Sequence, residues 1–346
     1  MPEFLARQRW WFTRLLMLPV HLLVFTIITF LLLRMVPGDP VIGVLGANYT
    51  DEAYLAMQKS LGLDGTVWQQ LGNYVANLAQ LNLGQSISTG EPVIVSLMDR
   101  LPGTLELAVQ GLLLTIIVSV LLSHLAVFHP RNILAKAVLV YSRAAGALPE
   151  FVLAIVALFV FYAVLHWAPA PLGRLDTGLP QQTRITGFPF LDTIIQGYWV
   201  GTFSMAQHLV LPLIVMVIAQ SAVVIKLLVS GLQGAISDPA TSFRITTGSG
   251  RTATTLSIYR RAAPAVVTLV GQMFGYLVGG TIVIESLFGF AGVGSLAVKA
   301  VITTDYPAIQ GFLLVIAAIT LIVYMLVDLT VMIIDPRRRP GAVGSN

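Results

Sequence analysis

A chain of 346 residues with 56% hydrophobic and only 10% charged side chains is too apolar for a soluble domain, where about 25% of residues are charged. The absence of cysteine excludes disulfides and thiolate metal sites. The net charge of +4 and a pI near 9.4 could suit nucleic acid, but the basic residues gather at the ends of apolar runs, which is the mark of membrane topology, and nucleic acid drops out as a partner.

The chain begins basic and then runs apolar for about 20 residues, with no small-residue cleavage site after it. A retained first span over about 15–36 is expected, following a cytoplasmic N-terminus within 1–36. Segment 37–103 is too long for a turn. In it DEAYLAMQKSLGL and VWQQLGNYVANLAQL read as short amphipathic helices, broken at Gly62 and at NLGQSISTGEP, and together they suggest an extracytoplasmic subdomain. Further spans are expected at about 104–128, 137–166, 206–229, 262–284 and 307–333, six in all. The third is interrupted by Pro149 and Glu150 and reads as two helical pieces. The fold class is therefore an all-α membrane protein, with the core in 104–334 and a tail at 335–346.

Basic residues set the orientation. With the N-terminus inside, Arg7, Arg9, Arg14, Arg131, Lys136, Lys226, Arg244, Arg251, Arg260, Arg261, Arg337, Arg338 and Arg339 all fall in cytoplasmic segments. Segment 37–103 instead carries Asp39, Asp51, Glu52, Asp64, Glu91 and Asp99 against Lys59 and Arg100. Both termini are expected in the cytoplasm.

Four charges near or inside spans invite explanation, because a charge is costly at membrane depth. Glu106, expected in the first turn of span two, and Asp328 are explained by helix capping or a local salt bridge. Glu285 lies at the outer end of span five. Glu150 is deeper or faces a cavity and is a candidate for a polar path. Gly271, Gly275 and Gly279 repeat at four-residue spacing in span five and suggest a smooth face for helix packing.

Between spans four and five lies a polar island, DPATSFRITTGSGRTATTLSIYRRAAP, at 238–264. Asp238 followed by Pro239 is a helix start, since the carboxylate can cap free amides and proline suits the first helical position. PATSFRITT then makes a helix of about two and a half turns, with Gly248 as a left-handed stop and Gly250 permitting the next turn. A solvated loop would need neither cap nor stop, so the island reads as a helix presented to a partner on the cytoplasmic face.

No GxxxxGK[ST] loop, HExxH or GxSxG occurs; GSGRT at 248–252 lacks the lysine and the preceding strand. His21, His124, His129, His166 and His208 are scattered. No catalytic or metal site is expected, no cofactor is expected in this chain, and any work it performs draws on a gradient or a partner.

Several collinear blocks resemble the inner-membrane permeases of ATP-binding-cassette importers for dipeptides, oligopeptides and nickel, in particular the first, "B"-type permease. They are LLLRMVPGDPV (31–41), KSLGLDGTVWQQLGNYVANLAQLNLGQSIS (59–88), PVIVSLMDRLPGTLELAV (92–109), ALPEFVLAIVALFVFYAVLHWAP (147–169), HLVLPLIVMVI (208–218) and the long stretch 279–339. The resemblance implies a type I importer permease fold in a bacterial inner membrane. It implies a homologous second permease, two cytoplasmic ATPase subunits that bind ATP and Mg, and an extracytoplasmic substrate-binding protein.

It also implies that the loop before span five, 238–261, couples to the ATPase, with Gly248 matching the family's motif glycine. Asp238, Phe243, Arg244, Ile245, Gly250 and Arg251 complete that candidate surface, Phe243 or Ile245 as apolar anchors and Arg244 and Arg251 as rim charges. Glu150, Gln220, Gln272 and Glu285 are the candidates for the translocation pathway. The chain departs from the family where PATSFRITTG replaces a motif of acidic-Tyr-Val-Arg-Thr-Ala-Arg-Ala-Lys-Gly type, and where Ala291 stands for a usual proline. Peptide-like cargo is expected, with nickel or a metal chelate as the alternative. A gradient-driven transporter using Glu150 and Glu285, or a scaffold, are the rivals.

Overall fold

A computed structural model describes residues 2–35, 39–45, 49–60, 62–143 and 149–334. Every regular element among the described residues is helical. The elements are α1 (Pro2–Met35), α2 (Pro40–Leu45), α3 (Asp51–Ser60), α4 (Val67–Ala79), α5 (Val93–Phe128), α6 (Ile133–Arg143) and α7 (Glu150–Ala157), which continues as a π-helix over Leu158–Val164. They are followed by α8 (Pro189–Ile195), α9 (Trp199–Ser237), α10 (Pro239–Thr246), α11 (Arg251–Leu287), α12 (Val293–Ile302) and α13 (Tyr306–Ile334).

Among the described residues, four helical stretches are long and apolar enough to cross a membrane: Leu15–Met35, Val93–Phe128, Trp199–Ser237 and Tyr306–Ile333. A fifth is α11, whose arms Arg251–Gly275 and Gly279–Leu287 meet at 52°. The count of six expected from hydropathy is thus approximate. The region of span three holds α6 and a 15-residue apolar helix, Glu150–Val164, rather than one long rod. The break comes where proline was expected to make it: Pro149 has φ −61° and ψ 143°, extended values that place α7 after it. Residues 144–148 and the tail 335–346 lie outside the described residues.

Span two starts earlier than hydropathy suggests. The helix opens at Val93 and carries Pro102 within it, so Glu106 lies well inside α5 and not in a first turn. Polar Asp99 and Arg100 hid those early turns from a search for apolar runs.

The chain forms two compact units. The first contains residues 1–104 and 291–322, the second 105–290 and 323–346. In the first, Thr66 and Gln69 form a reciprocal capping box at the start of α4, and Gly62 takes φ +64°, the break read from the sequence. Buried Asp305 accepts Ser86 Oγ at 2.5 Å, Ser88 N at 3.1 Å and Ser88 Oγ at 2.9 Å, which ties the 86–88 turn to the start of α13.

The second unit is built around α9. Leu209, Leu211, Val215 and Met216 of α9 pack with Leu107, Ala154, Ile284, Phe288 and Phe290. Further along, Leu228, Leu232 and Ala235 pack with Ile258 and Ala262 of α11, where Gly231 brings the backbones close: a Cβ there would lie 3.3 Å from that of Ala262. The expected glycine face on α11 is used unevenly. A Cβ at Gly271 would collide with Val327, whereas one at Gly279 would meet open space, and it is neighbouring Gly280 that lies against Glu150.

Candidate functional site

The polar island folds as a capped helix between two long ones. Asp238 ends α9 in an extended conformation, φ −69° and ψ 135°, and its Oδ1 accepts the amide of Ala240 at 2.8 Å. Pro239 takes the first helical position, where its missing N–H costs nothing. α10 runs two turns and closes on Gly248 at φ +81°, with the amides of Gly248 and Ser249 donating to Ile245 O at 3.1 Å and Arg244 O at 3.0 Å. Gly250 is the N-cap of α11, which begins at Arg251.

One side of α10 is clamped. Thr241, 2% exposed, donates its hydroxyl to Ala235 O at 2.6 Å. Arg261, reaching back from the third turn of α11, donates to Ala235 O at 3.3 Å and to the Thr241 hydroxyl, and pairs with Asp238 at 3.6 Å. A threonine, an arginine and a free carbonyl at the end of α9 therefore join three consecutive helices.

Beyond that clamp the helix is open: Phe243 and Ile245 are 67% and 61% exposed, and Arg244, Thr246, Gly248 and Arg251 are exposed beside them. Two large apolar side chains exposed on a short polar helix leave a surface that a partner can cover. Sequence reasoning found the cap, the stop and the outward residues, because their signals are local. It counted Arg261 only as a topology charge and passed over Thr241, since a clamp spanning 20 residues leaves no periodic trace.

The candidate pathway residues separate. Glu150 and Gln220 are both buried and meet, Gln220 Nε2 donating to Glu150 Oε2 at 3.3 Å. Glu150 Oε1 has no hydrogen-bond partner among the described residues, and a Cβ at Gly280 would stand 3.0 Å from Oε2. A polar pair joining α7 and α9 against a glycine of α11 can hold a proton or orient a polar solute. Gln272 is exposed on α11. Glu285 is fully buried and acts electrostatically on Arg174, which is itself stacked over Phe290 at 4.7 Å.

That arginine also explains Glu106. Glu106 Oε2 lies 3.4 Å from Arg174 Nη1, and its two oxygens accept the amides of Phe190 at 3.1 Å and Leu191 at 3.0 Å. Capping and a salt bridge are both present, but the capped helix is α8, more than 80 residues away. Burial lowers the Arg174 pKa, while Glu106 and Glu285 act to keep it charged. In the same segment Asp192 accepts Thr186 N at 2.8 Å, Thr186 Oγ1 at 2.6 Å, Gly187 N at 3.1 Å and Ile185 N at 3.3 Å. Burial pushes this carboxyl up, but the donors from Thr186, Ile185 and Gly187 outweigh it and hold the pKa below its ordinary value. Among the described residues no three His, Asp or Glu side chains gather as a metal site.

Comparison with known proteins gives two family matches and a set of full-length relatives. Residues 111–340 match the profile described as "Binding-protein-dependent transport system inner membrane component". Residues 7–108 match "Binding-prot-dependent transport system membrane comp, N-term". The "Dipeptide transport system permease protein DppB" of Alkalihalophilus pseudofirmus is 30% identical over 94% of this chain and 97% of its own length. The "Probable D,D-dipeptide transport system permease protein DdpB" of Escherichia coli K12 is 30% identical over 96% of both chains. The "Di/tripeptide transport system permease protein DppB" of Pseudomonas aeruginosa is 30% identical over 91% of this chain and 94% of its own.

Proposed function

Because the chain belongs to the family of binding-protein-dependent transport system inner membrane components, we propose that it forms half of the translocation pathway of an ATP-driven importer for peptides or peptide-like solutes. It is a multi-pass membrane protein of a transport system. Its assembly comprises a homologous second permease, two cytoplasmic ATPase subunits and an extracytoplasmic binding protein, in a bacterial inner membrane with both termini inside. ATP with Mg belongs to the ATPase subunits, and this chain contributes movement, not hydrolysis.

The observation that supports this best is the asymmetry of α10. Its first turn is fixed to α9 and α11 through Thr241 and Arg261, and beyond it the helix exposes Phe243, Arg244 and Ile245 on its outer side. A partner that closes on the outer side displaces α10, and the clamp passes the displacement to both long helices as one body. Glu150 and Gln220 lie on α7 and α9, so the polar pair sits on an element that such a displacement moves directly.

Phe243→Ala and Arg244→Glu test the reading. Both are expected to uncouple ATP hydrolysis from uptake while the subunits still co-purify. Normal uptake in both variants would sink it. Purification of the tagged chain from its native membrane tests the assembly: an ATPase and a second permease are expected. A chain that transports alone down a gradient favours the Glu150–Gln220 pair as an ion-coupled site instead.

A further inference from the structure

A cavity of about 350 Å³ opens in the first unit, at the C-terminal end of α1. Arg34 of α1, Gln70, Asn73 and Tyr74 of α4, and Tyr306 and Gln310 of α13 form its wall. The apolar run Leu15–Met35 is 21 residues long, about 30 Å at 1.5 Å per residue, which matches the hydrocarbon thickness of a bilayer. Arg34 therefore stands where hydrocarbon gives way to headgroups, with two tyrosines at the level aromatic side chains favour.

The Arg34 guanidinium is stacked, 4.8 Å from the Phe30 ring centre and 5.8 Å from that of Tyr306. It pairs with no carboxylate among the described residues, and its buried Nε has no hydrogen-bond partner there. Gln70 Oε1, on the same wall, is likewise buried and unpartnered. A cationic donor and an amide acceptor left unsatisfied in one cavity are costly in a fold unless something occupies it. A stacked guanidinium keeps its N–H edge free, and that planar fork matches the oxygens of a phosphate. Leu23 and Ile27 continue the strip of Phe30 and Arg34 toward the middle of the span, with Leu23 exposed.

We propose that this cavity binds the phosphate of a phospholipid headgroup, with Arg34 as the fork, the Asn73 amide donating to an ester oxygen, Gln70 Oε1 accepting from a headgroup hydroxyl while its amide stays bonded to Leu63 O and Gly65 O, and the α1 strip as the bed of an acyl chain. The proposal rests on α1 crossing a membrane and not on the transport reading, and its test does not read uptake.

The intact chain, with whatever subunits accompany it, is purified in non-ionic detergent and titrated with four probes, bound ligand being counted by native mass spectrometry. The probes are dioleoylphosphatidylglycerol, inorganic phosphate, dioleoylglycerol and dialanine. Phosphatidylglycerol is expected to be retained, with affinity lowered about tenfold in Arg34→Gln and less in Arg34→Lys, as befits loss of a charge-assisted pair. The other three probes, each lacking phosphate, chains or both, bind no better than phosphatidylglycerol does to Arg34→Gln. Equal retention by Arg34→Gln overturns the proposal, and so does equal binding of dioleoylglycerol, which would mean apolar contact alone. Displacement by inorganic phosphate at matching strength makes the ligand free phosphate, and displacement by dialanine makes it a carboxylate; either result overturns the lipid assignment. Should Arg34→Gln fail to assemble, Gln70→Leu decides by the same count, a loss supporting the site and no change refuting it.

Discussion

α8 and α10 are near twins in sequence grammar and opposites in how they are held. Each is under three turns long and starts with proline at its first position. α8 is tied along its whole length: Glu106 takes its first amides, Asp192 takes four donors from 185–187, and Gln196 exchanges two hydrogen bonds with Thr183. α10 is tied at its first turn only, through Asp238, Thr241 and Arg261, and beyond Thr241 its polar side chains bond only within its own turns. A helix held throughout stays where it is. A helix held at one end and open beyond it has the form the proposed handle requires.

The largest expected effect is in the fixed partner of this comparison. Glu106→Ala removes one of the two carboxylates acting on buried Arg174 and frees two amides, and is expected to cost about 3 kcal/mol, read as a lower thermal midpoint of the purified protein. A small change would mean that α8 is held by packing alone. Asp192→Ala is expected to cost about 2 kcal/mol. Because its folded pKa is depressed, the Asp192 contribution is fully present above the ordinary carboxylate value and is lost as pH falls through the lowered one. Thermal midpoints across that acid range should therefore fall in the wild type and less steeply in Asp192→Asn.

Smaller effects are expected in the handle. Arg261→Ala should cost about 1–2 kcal/mol and speed amide exchange over residues 241–246. Phe243→Ala should leave stability within about 0.5 kcal/mol, since the side chain touches solvent, and still abolish coupling. If Phe243→Ala destabilised as much as Arg261→Ala, the open face would belong to the fold and the contrast would fail.

What the sequence made legible was local. The Asp238–Pro239 start, the Gly248 stop and the Pro149 interruption depend on φ preferences and caps within a few residues, and each is found in the structure. The family was equally legible, because its blocks are collinear over nearly the whole chain. The ties that fix the site were not. Glu106 reaches α8 across 84 residues and Arg261 reaches Thr241 across 20, distances over which neither periodicity nor spacing carries information. The same limit explains the early turns of α5, where charged residues precede the apolar run, and the uneven glycine face. Spacing alone made Gly279 equivalent to Gly271, but only the neighbouring helices decide which of them meets Val327.

The clamp on α10 has a consequence for exchange of parts. Its three bonds use one threonine hydroxyl, one guanidinium and a backbone carbonyl, so none of the five residues from Phe243 to Thr247 supplies a group to them. That short stretch could be replaced wholesale, like a key cut on a fixed blank, and the face it presents altered with the membrane core unchanged.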